Sequence, residues 1–195
     1  IERGLDFLAR EGDEWMEAKN CNSCHHLPLL LWSHEEARKR GFAVGKEKFD
    51  EWLEWAVERS DEKKQAAEEA ALMILASLGE SETALASRLA EKQKADGSWA
   101  PGTQFATMQR RGAADAQAGA TWLSLAALAK AKPDEPKATG TRAEAKDDAP
   151  GSMETLVYRS VHALHSGPPD EAEKIKNDII RRQRGDGGWS SVFAA

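Results

Sequence analysis

One seven-residue motif occurs twice in this chain, and its spacing limits the fold more than any other feature. Residues 93–99 read Gln-Lys-Ala-Asp-Gly-Ser-Trp and residues 183–189 read Gln-Arg-Gly-Asp-Gly-Gly-Trp, so both fit Q-x-x-D-G-x-W. Each copy follows a stretch with helical periodicity. The two copies start 90 residues apart, about two units of the roughly 40 to 50 residues that build helical solenoids and toroids. The duplication therefore predicts an array of helical hairpins.

The composition agrees with an all-α fold. The chain is rich in Ala, Glu, Lys, Leu and Arg, and no stretch alternates apolar and polar residues for long enough to predict a strand. Apolar positions instead recur at helical spacing, as in Trp52, Trp55 and Ala56. We predict helices near 1–10, 12–19, 33–40, 46–59, 62–78, 81–94, 114–130, 153–165 and 169–184.

A polar segment interrupts the helical pattern. Residues 132–151 contain three of the seven prolines and almost no apolar side chain, so burial cannot offset the entropy of ordering them. We interpret 132–151 as an exposed linker within a single domain that spans residues 1–195.

The duplicated motif resembles the QW repeat of squalene-hopene cyclases and the related prenyltransferases, through Gln93, Gly97 and Trp99 and their counterparts Gln183, Gly187 and Trp189. The resemblance implies a partial (α/α) toroid of inner and outer helices. It does not imply cyclase activity, because fold alone does not carry function. The acidic D-x-D-D motif with which those cyclases protonate their substrate is absent from the sequence.

A second motif carries the chemistry. Residues 21–26 read Cys-Asn-Ser-Cys-His-His, and C-x-x-C-H is the attachment pattern of c-type haem. Two thiols one helical turn apart can reach both vinyl groups of one porphyrin, and the next His can ligate the iron. We therefore predict one haem c, with thioethers to Cys21 and Cys24 and with His25 as the proximal ligand. Trp15 and Trp32 lie on either side of this motif and can shield the macrocycle, while His26 is expected to bond a propionate or a backbone carbonyl.

The segment from Trp15 to Arg40, with its CxxCHH-x-P-x-x-x-W pattern, looks like the haem-binding segment of a group of bacterial c-type cytochromes. In that group the haem motif is set into cyclase-like helical repeats. The resemblance implies a haem protein on a borrowed scaffold.

Two other uses of the cysteines compete with haem. A tetrahedral zinc site can be formed by Cys21 and Cys24 with His162 and His165, although that His spacing is shorter than usual. A thioredoxin-like dithiol is the other alternative, but it normally needs a βαβ context.

The sixth iron ligand separates two functions. A second strong ligand favours electron transfer, whereas an open or water-bound position favours catalysis or small-ligand sensing. Tyr158, His162 and His165 share one helical face at i, i+4 and i+7, and we consider them the best distal candidates. The remaining candidates are the other two histidines and the methionines: His26, His34, Met16, Met73, Met108 and Met153.

Charge and hydropathy narrow the partners. The net charge is −6, from 27 basic and 33 acidic residues, so a nucleic-acid partner is not expected. The longest apolar runs are far shorter than a membrane span.

We expect a mono-haem c-type cytochrome that transfers electrons to a redox partner protein. Thioether attachment implies maturation in the periplasm or an equivalent compartment. Few repeats cannot close a toroid, so we also expect a homo-oligomer or a domain of a larger chain.

Overall fold

A computed structural model of the chain describes residues 1–19, 26–58, 66–76, 80–102, 111–131, 151–191 and 193. These residues form eight helices and no strand, which confirms the all-α prediction. In chain order the helices are α1 (Glu2–Lys19), α2 (His26–Lys39), α3 (Lys46–Glu58), α4 (Ala67–Ala76), α5 (Glu80–Glu91), α6 (Ala113–Ala131), α7 (Met153–Ser166) and α8 (Pro169–Arg181). The predicted linker at 132–151 lies outside the described residues except for Gly151.

The N-terminal region differs from the sequence prediction. We expected two helices, 1–10 and 12–19, but α1 is continuous from Glu2 to Lys19. Gly12 lies in its middle because α2 crosses at that point: a Cβ on Gly12 would come 2.5 Å from Cδ2 of Leu30. Absence of a side chain therefore permits the close approach of α1 and α2, rather than ending a helix.

Helix α2 also begins earlier than expected, at His26 rather than near residue 33. Pro28 lies in its first turn, where the missing N–H has no intrahelical partner to lose. Leu27, Leu30 and Leu31 are buried on this helix. Their burial against the core favours the helical conformation of this segment.

Helix α4 is the centre of the core. All ten of its residues are buried, including Glu68 and Glu69 at its start. It contacts α2, α5 and α6, and α6 in turn contacts α7. A helix that is apolar all round requires neighbours on every side. The resulting row is α2–α4–α6–α7, with α1 packed against α2 and α8 packed against α7.

The helices of this row run parallel to one another. At one end, Arg111, just before α6, forms an ion pair with Glu154 in the first turn of α7. At the other end, the Lys130 ammonium of α6 donates to the carbonyls of Ile74 and Leu75 in the last turn of α4. The charges of Lys39 and Lys130 both act on His165, so the last turns of α2, α6 and α7 lie at the same end. The first turns of the parallel helices therefore share the opposite end, which we call the amino end of the row.

The two copies of the repeated motif form the same turn. Gln93 donates to the carbonyl of Gly97 (2.9 Å) and Gln183 donates to that of Gly187 (2.7 Å). The indole N–H of each Trp donates to a carbonyl ten residues earlier, Leu89 at 2.7 Å and Ile179 at 2.8 Å.

Both turns need a glycine at the same position, since φ is +81° at Gly97 and +84° at Gly187. Residues that carry a side chain rarely adopt a positive φ, whereas glycine does so readily. The sequence repeat is thus also a repeat of local structure.

Candidate functional site

The predicted haem motif lies in the connection between two helices. Helix α1 ends at Lys19 and α2 begins at His26, so Cys21, Cys24 and His25 fall outside the described residues. Their predicted thioether and iron-ligand roles stay predictions. Of His26 the structure describes the backbone alone, as the first residue of α2.

The ends of α1 and α2 next to this connection carry partly covered apolar side chains. Trp15 and Met16 are half-buried in the last turns of α1, and Leu29 and Trp32 are half-buried on α2. Met16, Leu29 and Trp32 also pack against the core. That Trp15 and Trp32 shield a macrocycle stays a prediction, because Cys21, Cys24 and His25 lie outside the described residues.

Helix α2 starts at the amino end of the row. The same end holds a buried polar network that includes Tyr158, one of the predicted distal residues. Its members come from three segments that are distant in sequence. They are Glu68, Arg111, Asp115, Glu154, Thr155 and Tyr158.

Arg111 organises the network. Its side chain is 3% exposed. Its Nε donates to Oδ2 of Asp115 at 2.7 Å, and another guanidinium nitrogen donates to the main-chain carbonyl of Asp115 at 2.8 Å. The guanidinium also donates to the Thr155 hydroxyl and lies 3.4 Å from the Glu154 carboxylate. A buried arginine held by two carboxylates fixes the first turns of α6 and α7 together.

Asp115 is the carboxylate that pairs with Nε of Arg111. Burial opposes its ionisation, but hydrogen bonds from Ser152 and Arg111, together with the charge of Arg111, lower its pKa below the ordinary value. Its Oδ1 also accepts the backbone N–H of Gly151 at 2.9 Å. Asp115 therefore anchors the chain at the entrance to α7.

Glu68 and Glu69 are the carboxylates that the sequence reasoning missed. Both oxygens of Glu68 accept the backbone N–H of Gly102 at 3.0 Å, yet burial and the nearby Glu154 charge raise the pKa of Glu68. Burial is also the main reason that the pKa of Glu69 rises to about 7. The signal in the sequence was two adjacent carboxylates directly before an uninterrupted apolar run, 70–76.

The three predicted distal residues lie on α7, but each has its own surroundings. The Tyr158 hydroxyl is buried and donates to Oε1 of Glu154 at 2.7 Å. Burial first, and then the Glu154 charge, raises the pKa of Tyr158 well above its usual value. His162 lies beside Trp122, with ring centroids 5.1 Å apart, and its Nε2 is 2.8 Å from the Ser166 hydroxyl.

His165 lies farthest from the amino end. Its side chain is exposed, and burial of part of the ring and the charges of Lys39 and Lys130 lower its pKa while Glu36 raises it. The row therefore brings Tyr158 into the polar network and leaves His165 near the end of α2 opposite His26. Whether either histidine ligates iron stays a prediction.

The other candidate ligands are spread over the fold. His34 is buried, and its Nδ1 donates to the carbonyl of Leu30 at 2.8 Å, about 12 Å along α2 from His26. Met73 is buried in the core and Met153 is half-buried at the start of α7. Met108 lies outside the described residues. Of the described methionines, Met16 is the nearest in sequence to the haem motif.

No protein-family model matches the chain, and no curated protein or solved structure matches it. Among the residues that the structure describes, no group of three His, Cys, Asp or Glu side chains can hold a metal ion. None of the helices in the described ranges is both long and apolar enough to cross a membrane.

Proposed function

We propose that this chain is a mono-haem c-type cytochrome that serves electron transfer. The observation that carries the proposal is the donor set Cys21, Cys24 and His25, in the connection between α1 and α2. Two thiols with an adjacent imidazole are the chemistry that covalent haem attachment requires. When bound, the haem iron would supply a one-electron redox couple.

The residues around the connection fit a large apolar group. Trp15, Met16, Leu29 and Trp32 retain partly exposed apolar surface there, whereas Leu27, Leu30 and Leu31 already belong to the core. The half-buried side chains can exclude water from one side of a macrocycle without disturbing the packing of α2. Cys21 and Cys24 would hold the group covalently and His25 would orient it as proximal ligand.

We also propose that the row of helices is part of an (α/α) toroid. The support is the parallel direction of α2, α4, α6 and α7, together with two outer helices that end in the same Trp-containing turn. In this arrangement the parallel helices are the inner layer, and α3, α5 and α8 are the outer layer. Location in the periplasm or an equivalent compartment, and a redox partner protein, follow from the haem proposal.

The test is an absorption spectrum of the chain matured by the haem-c biogenesis machinery, recorded oxidised and after reduction with dithionite. We expect a Soret band that remains with the protein after acid–acetone extraction, and a sharp low-spin reduced spectrum that carbon monoxide does not change. The double variant Cys21→Ser/Cys24→Ser is expected to lose the covalent band. His34→Gln, which leaves the motif intact, should keep it.

Other spectra would change the proposal. A high-spin spectrum that shifts with carbon monoxide would replace electron transfer by the alternative function, a haem enzyme or small-ligand sensor with an open or water-bound sixth position. Absence of covalent haem, with one equivalent of bound zinc that His162→Gln releases, would replace the cytochrome by the zinc site.

A further inference from the structure

We infer that the first turn of α4 is a pH-operated switch, which opens when two adjacent buried glutamates, Glu68 and Glu69, lose their protons. We call these two residues the α4 carboxyl pair. Their burial, their place in the helix and the charges around them support this role. It does not depend on the haem proposal, so either can fail without the other.

The α4 carboxyl pair is buried without a cation partner. Glu68 is 2% exposed and Glu69 is 9% exposed, in a helix whose ten residues are all buried. Among the residues that the structure describes, neither carboxylate forms an ion pair. Burial of an unpaired charge is costly, so a carboxyl group in this position holds its proton to a higher pH than an exposed one.

Other buried carboxylates near α4 do have cations beside them. On α2, Glu35 is fully buried, and Arg38 lies 2.8 Å from its carboxylate. At the amino end of the row, Arg111 pairs with Asp115 at 2.7 Å and lies 3.4 Å from Glu154. The guanidinium of Arg111 is therefore already shared by two carboxylates. Protonation, rather than an ion pair, keeps the α4 carboxyl pair inside the core.

The surroundings of Glu68 oppose its ionisation. Burial raises its pKa most, and the Glu154 charge raises it further. The backbone N–H groups of Glu68 and Gly102 and the charge of Arg111 lower it by less. The charges of Glu68 and Glu154 both act on Tyr158, whose hydroxyl donates to Glu154 at 2.7 Å. Ionisation of Glu68 therefore adds an unpaired negative charge to the polar network.

The two members of the pair also oppose each other. Burial is the largest cause, and the Glu68 charge a further cause, of the rise in the pKa of Glu69 to about 7. The backbone of Ala66 and the charge of Lys92, the residue after α5, lower it by less. Glu69 therefore loses its proton near neutral pH, which leaves a charge in a buried turn beside Glu68.

The place of the pair at the start of α4 lets the helix respond locally. The backbone N–H of Ala70 donates to the carbonyl of Ala66 at 3.2 Å, and this bond closes the first turn. The last turn is held separately, because the Lys130 ammonium of α6 donates to two of its carbonyls. Helix ends open at a lower free energy than helix interiors. Ionisation therefore opens the first turn to water and leaves the last turn in place.

The test is amide hydrogen exchange of the full chain, measured by NMR at pH 5, 6, 7 and 8 and corrected for the intrinsic exchange rate at each pH. Two amides report on the first turn: that of Ala70, and that of Gly102, which donates to both oxygens of Glu68 at 3.0 Å. The amide of Ala76 reports on the last turn.

We expect the protection of Ala70 and Gly102 to fall by at least about tenfold from pH 6 to pH 8. Glu69 alone accounts for this factor, because its pKa is about 7 in the closed turn and 4.5 when it is exposed to water. The protection of Ala76 should stay unchanged. An equal fall at all three amides would overturn the inference, because the whole chain and not the first turn would then respond to pH.

The double variant Glu68→Gln/Glu69→Gln should abolish the fall in protection, and the exposed Glu91→Gln should keep it. A fall that persists in the double variant would overturn the inference. A second measurement needs no variant: the glutamate carboxyl carbons are titrated by NMR in the wild-type chain with ¹³C-labelled glutamate. We expect at least one of them to titrate near pH 7, and a chain in which all titrate below pH 6 would equally overturn the inference.

Discussion

Gly119 in α6 lies directly beneath the guanidinium of Arg111. A Cβ at Gly119 would come 2.4 Å from a guanidinium nitrogen and 3.0 Å from the Thr155 hydroxyl oxygen. The missing side chain at Gly119 therefore leaves the space through which the buried Arg111 side chain reaches across α6 to α7. The polar network at the amino end depends on this missing side chain as much as on its charged members.

We expect Gly119→Ala to destabilise the chain by about 1–3 kcal/mol, because a methyl group would displace Arg111 from its partners in a packed interior. Equilibrium unfolding in urea measures the change. Gly112→Ala is the matched control, since a Cβ at Gly112 meets nothing within 4 Å. Equal stability of the two variants would show that Arg111 moves without cost.

The two Trp residues of the repeated turns should differ sharply in their energetic contributions. Trp99→Ala is expected to cost about 3–5 kcal/mol, the usual range for removing a buried aromatic side chain. Trp189→Ala should cost much less, because Trp189 is 40% exposed while its turn has the same hydrogen bonds. The comparison uses denaturant midpoints of both variants. Similar losses of stability would mean that the hydrogen bonds of the turn, and not burial of the Trp side chain by a neighbouring helix, provide the stability.

Glu69 should make the stability depend on pH. Burial raises its pKa to about 7 from an ordinary value of 4.5, so between these values the folded chain binds more protons than the unfolded chain. Stability should therefore fall as pH rises from about 4.5 to 7, by an amount on the order of 1–3 kcal/mol.

Glu69→Gln is expected to remove this part of the pH dependence, and to stabilise the chain at pH 8 relative to wild type. Urea unfolding at pH 5, 6, 7 and 8 measures it. The exposed Glu91→Gln serves as control and should leave the slope unchanged. A Glu69→Gln variant with the wild-type slope would assign the titration to another group.

Asp13 should hold α1 in place beside the predicted haem motif. Its carboxylate accepts the indole N–H of Trp52 at 2.8 Å and pairs with Lys48 at 3.0 Å, which ties α1 to α3. Asp13→Ala should cost about 1–2 kcal/mol, because the largely buried indole N–H of Trp52 loses its acceptor.

Hydrogen exchange of the α1 amides should accelerate in Asp13→Ala. The substitution Asp6→Ala, at an exposed position of the same helix, is the control and should leave exchange unchanged. Unchanged protection in Asp13→Ala would show that the Gly12–Leu30 contact is sufficient to hold α1.

Local sequence information was enough for the helical content and for the two turns. The Q-x-x-D-G-x-W pattern sets the Gln–carbonyl and Trp–carbonyl hydrogen bonds within ten residues, so it predicts the same turn wherever it occurs. The sequence was less informative about the limits of α1 and α2. Gly12 is a usual signal for a helix end, and here packing between α1 and α2 outweighs it. Pro28 lies in the first turn of α2, a position that proline tolerates.

The sequence by itself determined the all-α class, the repeated turns and the donor set Cys21, Cys24 and His25. Only the tertiary structure decided which turn is buried and which is open, because burial depends on a helix contributed by another part of the chain. It also decided that Arg111 meets Glu154 and that Glu69 is buried. Charged residues from distant segments pair because the parallel helices bring their first turns together. The spacing of these residues along the chain does not predict that they meet.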